Sequence, residues 1–276
     1  MLNSDIIARL ATYALLYEVS LSPKPGLVTL IDRGAHVDMD YIDFINSALV
    51  LHDYFKIAYE LGEIFTGEDY DELRKFGVIY EEKMKKATGG ANTHKGIIFS
   101  LGLMVYATAI EMKKENFSFE KIISRVAYLN RGITRELNKT NATSHGEENF
   151  IRYGVMGIRE EAEKGFKKAL LGLDFLKNAE KNINFDYALT GTLYYYMSFI
   201  EDSNIIKRGG LEGLEFLRKS ANHVLSNKLY ETSDGMIEVK KINEEFKKRN
   251  LSPGGCADFL ILTLYFYLLE GYIDWI

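Results

Sequence analysis

Hydrophobic residues recur at helical spacing along most of this chain. Apolar stripes of this kind run through residues 6–17, 44–58 and 97–108. A repeat of about three to four residues places such side chains on one face of an α-helix, whereas a strand requires strict alternation. Alternation is scarce, and residues 235–240 form the best strand candidate. We therefore predict an all-α fold of about eight to eleven helices with essentially no sheet.

Helix boundaries are marked by polar residues and by the positions of proline. Asp40 stands directly before the second stripe and Asp43 follows three residues later, which is the spacing of a capping box. Prolines occur only at Pro23, Pro25 and Pro253, outside the apolar stripes. No linker, low-complexity tract or solenoid-length repeat divides the chain. The simplest organisation is a single domain over residues 1–276.

Composition and charge narrow the classes of function. The chain has 276 residues, of which 47% are hydrophobic and 26% charged, as in ordinary globular proteins. Its net charge of −5 gives no general attraction to nucleic acid or an anionic membrane. The longest apolar run, residues 259–269, is much shorter than the about 20 residues of a bilayer-spanning helix. Cys256 is the sole cysteine and no signal peptide is visible, so we expect a cytoplasmic protein without membrane or nucleic-acid partners.

Polar segments interrupt the apolar pattern and concentrate Asn, Thr, His, Gly and Pro beside one or more charged residues. They are residues 22–26, 34–40, 88–96, 140–147 and 252–258. This composition suits contact with a polyanionic ligand and is poor for building a core. Several such segments on one apolar scaffold indicate an enzyme.

Two of these segments carry lysines suited to phosphate binding. Pro23 and Pro25 hold Lys24 on a stiff support, although an exposed loop lysine is an equally good interpretation. In residues 88–96, tandem glycines let backbone amides approach a ligand, and Lys95 enters a helix whose N-terminus favours anions. Asn92 and His94 of the same segment could bind a ribose or a base edge. The Gly-x4-Gly-Lys-Ser/Thr pattern of a P-loop is absent.

Carboxylates and histidines supply candidates for acid–base and metal chemistry. Asp38 and Asp40 lie close to His36 and could hold a divalent cation, while Asp40 has an alternative role as a helix cap. His145 with Glu147 forms an acid–base or metal-binding candidate.

Two further charged residues are singled out by their helical positions. Asp258 precedes a strongly apolar run, where a carboxylate is awkward without a partner, and is therefore a site candidate. Arg159 lies at helical spacing from other charged residues, a pattern that usually marks a surface salt bridge.

Taken together, the segments resemble the triphosphoribosyl-dephospho-coenzyme A synthase family. The matching segments include Ser22-Pro-Lys-Pro-Gly26, Gly34-Ala-His-Val-Asp-Met-Asp40, Asn92-Thr-His-Lys-Gly96, Thr143-Ser-His-Gly-Glu147, Asp202-Ser-Asn204 with Arg208-Gly-Gly210, and Leu251-Ser-Pro-Gly-Gly-Cys-Ala-Asp258. They run in family order over nearly the whole chain. Residues 177–187 and 227–249 carry no recognisable match.

The resemblance implies transfer of the triphosphoribosyl group of ATP to 3′-dephospho-coenzyme A, with release of adenine. The product is the prosthetic-group precursor of citrate lyase or malonate decarboxylase. On this basis Mg²⁺, lysines and arginines would hold the triphosphate and a carboxylate would act as base.

Roles for individual residues follow as hypotheses. The candidate catalytic residues are Asp258 or Asp40 as base and His94 or His145 at the adenine or ribose; the substrate-binding candidates are Lys24, Asn92, Thr93, Lys95, Arg159 and Arg208; the Mg²⁺ candidates are Asp38 and Glu147.

Two other functions fit the same residues. A Mg²⁺-dependent helical nucleotide hydrolase would use the carboxylates to activate water, and a nucleotide sensor would bind ATP without chemistry. The chain contains 18 Tyr and 16 Phe, so exposed aromatic helix faces leave room for a homodimer.

Overall fold

The computed structural model describes residues 3–66, 70–137 and 150–275. Over these residues the chain forms twelve α-helical segments and no strand. They are α1 (Ser4–Ser20), α2 (Tyr41–Glu63), α3 (Tyr70–Ala87), α4 (Lys95–Met112), α5 (Phe119–Leu129), α6 (described over residues 150–153), α7 (Ile158–Glu163), α8 (Lys168–Ala179), α9 (Phe185–Phe199), α10 (Ser203–Ser226), α11 (Ser233–Lys248) and α12 (Gly254–Trp275). Short 3-10 helices span Ile133–Leu137 and Leu229–Glu231. The all-α prediction is confirmed, with one helix more than the expected upper bound.

The structure bears out one capping prediction and corrects the strand candidate. The Asp40 side chain accepts hydrogen bonds from the amides of Ile42 and Asp43, and the Asp43 carboxylate accepts one from the Asp40 amide. Residues 235–240 are helical and lie in α11, which Thr232 caps through the Gly235 amide. The buried positions of α11 recur every three to four residues, so the helical period overrides the short local alternation.

Two apolar helices form the centre of the core. Helix α4 is buried along nearly its whole length, and α12 packs against α1, α4, α8 and α9. Both are long and apolar enough to cross a membrane by length and composition, but 78% and 61% of the respective windows are buried inside the fold. Burial against neighbouring helices is the environment of a core helix in a folded domain.

The beginnings of three helices meet on one side of this core. Asp202, which precedes α10, also accepts a hydrogen bond from the Cys256 amide in the first turn of α12. Gly96 in the first turn of α4 lies so close to Asp258 of α12 that a methyl group there would overlap the carboxylate. The loop containing Lys24 completes the same region. Because helix N-termini carry partial positive charge, their convergence creates an environment suited to anions.

Candidate active site

A cavity of about 1120 Å³ opens between the converging helix N-termini. Its lining includes Lys24, His36, His94, Arg208 and Asp258. Four of the five polar segments singled out in the sequence therefore contribute to one site. The fifth, residues 140–147, lies outside the described residues, and with it the candidates His145 and Glu147.

Asp258 is an isolated carboxylate at the cavity wall. It makes no hydrogen bond or ion pair within the described ranges, and the absence of a side chain at Gly96 leaves room for its carboxylate. Burial, followed by the nearby charges of Asp202 and Glu18, raises the pKa of the Asp258 carboxyl well above its usual value. A carboxylate with a raised pKa is a stronger proton acceptor when ionised.

Asp202 joins the starts of α10 and α12. Its Oδ1 accepts hydrogen bonds from the amides of Asn204 and Ile205 at 2.9 and 3.1 Å, and its Oδ2 accepts one from the Cys256 amide at 2.9 Å. Burial raises the pKa of Asp202, while these hydrogen bonds act in the opposite direction. One buried side chain thus satisfies donors on two helices and fixes their relative position.

Lys24 is buried and paired with Glu18. The Lys24 Nζ donates to the Glu18 carboxylate and, at 2.6 Å, to the Glu18 carbonyl oxygen. Burial lowers the pKa of Lys24, and the Glu18 charge opposes that shift. The sequence left an exposed loop lysine open as an alternative, but Lys24 is only 1% exposed. Its charge is already compensated by Glu18.

His94 occupies the N-cap position of α4 without capping it. Its Nδ1 lies 2.7 Å from the Ser47 hydroxyl oxygen, and its ring contacts Phe44 edge-on with 5.0 Å between centroids. The Nε2 atom and the hydroxyl of adjacent Thr93 are buried and have no hydrogen-bond partner among the residues that the structure describes. Burial, followed by the charge of Lys24, lowers the pKa of His94 to about 3, so the imidazole is neutral.

Three other predicted substrate-binding residues also line the cavity. Lys95 and Asn92 are exposed, and the Lys95 Nζ pairs with Glu81 at 2.8 Å. Arg159 extends the lining from α7. Exposed ion pairs contribute little stability, so Lys95 can exchange Glu81 for a ligand anion at small cost.

Arg208 links two loops beside the cavity. It donates to the Ala35 carbonyl at 2.9 Å, to the Asn250 side chain at 2.8 Å and to His36 Nδ1 at 3.2 Å. His36 Nε2 lies 2.8 Å from the Ser252 hydroxyl. Burial and then Arg208 lower the pKa of His36 to about 4. This network orders two of the polar segments against each other.

Asp38 and Asp40 are not part of the cavity lining. Asp38 is 63% exposed in its side chain and lies 3.8 Å from His36 Nδ1, while Asp40 caps α2 and pairs with Arg33 at 2.7 Å. In the part of the chain that the structure describes, no three His, Cys, Asp or Glu side chains converge as metal ligands. Within the described residues, Asp38 and Asp40 therefore do not complete a metal site.

Sequence reasoning missed the partners that hold the predicted residues. Glu18 is a buried charge on the apolar face of α1, and such a position was a detectable signal. Ser47 gave no local signal, and Gly96 was singled out only as part of residues 88–96. The importance of both depends on contacts with His94 and Asp258 from distant helices.

Comparisons with known proteins identify the chain's family. The family described as ATP:dephospho-CoA triphosphoribosyl transferase matches residues 4–275. A protein of Streptococcus equi subsp. equi named probable 2-(5''-triphosphoribosyl)-3'-dephosphocoenzyme-A synthase is 37% identical over 97% of both chains. One with the same name in Streptococcus pyogenes serotype M1 is 36% identical over 96% of both. Protein CitXG of Leuconostoc mesenteroides subsp. cremoris is 38% identical over 98% of this chain and 60% of its own length. No solved structure matches the chain. The chain belongs to the ATP:dephospho-CoA triphosphoribosyl transferase family.

Proposed function

We propose that the described cavity is where this transferase moves the 5-triphosphoribosyl group of ATP to the 2′-hydroxyl of 3′-dephospho-coenzyme A, releasing adenine. Family membership supports the reaction. The main support for placing the reaction in this cavity is Asp258. It is an isolated carboxylate of raised pKa in a cavity that also contains basic side chains.

The reaction breaks and makes one bond at a single carbon. The glycosidic bond between adenine N9 and ribose C1′ breaks, and its electron pair leaves with adenine. A bond forms between that carbon and the acceptor 2′-oxygen, whose proton is lost while adenine gains one. The triphosphate stays intact. The site must therefore accept a proton, tolerate positive charge at the sugar carbon and stabilise the leaving base.

Asp258 meets the first two requirements. Since it has no competing partner within the described residues, its carboxylate is free to take the 2′-hydroxyl proton. The same negative charge stabilises an oxocarbenium-like carbon. Asp40, the alternative base, is committed to its capping box and to Arg33 outside the cavity lining. We therefore assign the base to Asp258.

The triphosphate is best placed at the start of α4. Lys95 and Asn92 are exposed there beside Thr93, and the helix N-terminus lacks a side-chain cap. Uncapped amides and an exposed lysine together can bind phosphate oxygens. Arg159 and Arg208 add positive charge elsewhere on the lining. Lys24 is not assigned to the triphosphate, because reaching a phosphate would require it to break its buried pair with Glu18.

A chromatographic assay separates the proposed transfer from its alternatives. The protein is incubated with ATP, with and without 3′-dephospho-coenzyme A, and the purine products are quantified. Adenine release that requires the acceptor supports the transfer. Formation of ADP or AMP indicates a hydrolase, and binding of ATP without any product indicates a sensor. Asp258→Asn is expected to lose activity, whereas Asp53→Asn, an exposed carboxylate outside the cavity lining, serves as the matched control.

A further inference from the structure

Two adjacent buried polar groups at the cavity wall have no hydrogen-bond partner within residues 3–66, 70–137 and 150–275. They are the Thr93 hydroxyl and His94 Nε2 at the start of α4. His94 is 2% exposed, and an unsatisfied polar group at such a position destabilises the folded protein. Buried polar groups in proteins are generally satisfied by protein, water or ligand. Because both residues line the cavity, a bound substrate can supply the missing partner.

The surface beside His94 is apolar. Phe44 contacts the imidazole edge-on, with an angle of 83° between the ring planes. Val28 and Met39 line the cavity on this side and belong to a small apolar cluster that Phe44 packs against. An apolar wall with one polar group suits a flat heteroaromatic base better than a triphosphate.

Ser47 determines which nitrogen of His94 carries the proton. Ser47 is fully buried, and its hydroxyl has His94 Nδ1 as its hydrogen-bond partner. If Nδ1 carried the proton, the Ser47 hydroxyl would be the acceptor and its own O–H would have no acceptor. If the hydroxyl donates to Nδ1, this donor is satisfied and Nε2 carries the proton. The Nδ1–H form would leave two buried groups unpaired, the Ser47 O–H and the acceptor Nε2, whereas the Nε2–H form leaves only Nε2–H unpaired. Because buried unpaired groups are costly, the structure favours the Nε2–H form.

We propose that this wall is the adenine subsite, in which Ser47 holds His94 as a neutral Nε2–H donor to a ring nitrogen of the leaving adenine. This inference rests on the proposed function. Adenine gains electron density as its bond to ribose breaks, so a fixed donor binds it more tightly in the transition state than in the ground state. The donor gives a hydrogen bond and keeps its proton. The proton that adenine finally gains comes from solvent.

Neighbouring charges fit a neutral donor. The ionisable groups that line the cavity with His94 include Lys24, Glu18 and Asp258, with Lys95 and its partner Glu81 at the rim. Burial lowers the pKa of His94, and the positive charge of Lys24 lowers it further, so both disfavour the imidazolium form. The donor strength of His94 should therefore be constant between about pH 5 and 8.

The tautomer can be measured without substrate. Long-range ¹H–¹⁵N NMR distinguishes protonated from unprotonated ring nitrogens, and the signal lost in His94→Gln identifies His94 among the 5 histidines. We expect Nε2–H in the wild-type protein and a mixture of tautomers in Ser47→Ala, with Ser47→Thr restoring Nε2–H. A protonated Nδ1 in the wild-type protein would overturn the proposal.

The contact with adenine can be tested by replacing His94 with Gln or Asn and by replacing ATP with deaza analogues. The side-chain nitrogen of Gln can replace Nε2, whereas that of Asn reaches only the Nδ1 position. We expect kcat for adenine release to fall about 10²-fold in His94→Ala and His94→Asn and less than about tenfold in His94→Gln. Ser47→Ala should lower kcat by about tenfold at an unchanged KM for ATP.

Replacing one ring nitrogen should show which atom accepts the hydrogen bond. With 7-deaza-ATP or 3-deaza-ATP, one of the two analogues should lower the wild-type rate about 10²-fold and cause no further loss in His94→Ala. Equal rates for His94→Gln and His94→Asn, or no analogue effect in the wild-type protein, would overturn this inference while leaving the transfer intact. Failure of the wild-type protein to release adenine from ATP itself would overturn both.

Discussion

Single residues at this site are held in states that cost stability. Burial and the charges of Asp202 and Glu18 oppose ionisation of Asp258, and the buried Nε2 of His94 has no hydrogen-bond partner in the described part of the chain. A site optimised only for folding would replace such groups with apolar ones. Their presence in one cavity is the physical argument that they act on a ligand rather than on the fold.

Asp258→Asn should therefore abolish activity and stabilise the protein at neutral pH. The folded-state pKa of Asp258 is raised, so its favourable contribution to folding exists below its unfolded pKa of about 3.9 and is lost as pH rises through the folded pKa. Asparagine does not ionise, so the variant does not lose this stability as pH rises. Urea unfolding should show the variant more stable than wild type at pH 8, with the difference shrinking towards pH 4.

Ionisation of Asp258, which lowers stability, should raise activity. Only ionised Asp258 can accept the 2′-hydroxyl proton, so wild-type kcat/KM for acceptor should rise with pH through a midpoint above the usual carboxyl range. Asp258→Asn should lose about 10²–10⁴-fold in adenine release. A rate that falls as pH rises over this range would make Asp258 an acid instead of a base.

Gly96 is predicted to set the position of Asp258. A β-carbon at Gly96 would overlap the Asp258 carboxylate, whereas one at Gly77, a helical glycine on the same cavity, would make ordinary contacts at 3.6 and 3.7 Å. Gly96→Ala should thus lower kcat by about tenfold or more by displacing the base, while Gly77→Ala retains activity. Both variants gain helix propensity, so comparable thermal stability would show that the difference concerns the site. Equal activity in the two variants would contradict the role of Gly96.

At the level of elements, the site depends on how helix N-termini are capped. The N-termini of α10 and α12 share the buried carboxylate of Asp202, while that of α4 carries no side-chain cap and is left for a ligand. Capping satisfies amides and so removes an anion site, whereas an uncapped start retains it. The difference places the expected phosphate contact at α4.

Asp202→Ala should cost more stability than loss of an ordinary cap. It removes acceptors for Asn204, Ile205 and Cys256, so we expect a loss of about 1–3 kcal/mol. Asn184→Ala removes a single cap bond at α9 and should cost about 1 kcal/mol. Urea unfolding of both variants provides the comparison. An Asp202→Ala loss no larger than that of Asn184→Ala would show that the link between α10 and α12 is unimportant for folding.

For the whole molecule, sequence reasoning succeeded where structure is local. Helical periodicity predicted the fold, and the spacing of Asp40 and Asp43 predicted a cap that the structure confirms. Pairings between distant segments could not be predicted: Ser47 and His94 are 47 positions apart, and Asp202 and Cys256 are 54 apart. Segment composition therefore indicated which loops form the site, but not which side chains are already engaged. The homodimer, the location in the cytoplasm and the Mg²⁺ ion stay predictions.

The last of these can be tested through the stability of the whole chain. A ligand at about 100 times its Kd stabilises a protein by about 2.7 kcal/mol, which should raise Tm by about 5–10 °C for a chain of this size. We expect this shift with ATP and Mg²⁺, and a smaller shift with ATP and EDTA, because an ion that arrives with a triphosphate needs few protein ligands. Lys95→Ala should reduce the shift, whereas Lys113→Ala, exposed at the other end of α4, should not. Equal Tm shifts with Mg²⁺ and with EDTA would contradict a role for the metal in ATP binding. Equal Tm shifts in the two lysine variants would contradict a role for Lys95. A Tm that does not respond to ATP at all would contradict the placement of ATP in this cavity, since binding to the folded state must stabilise it.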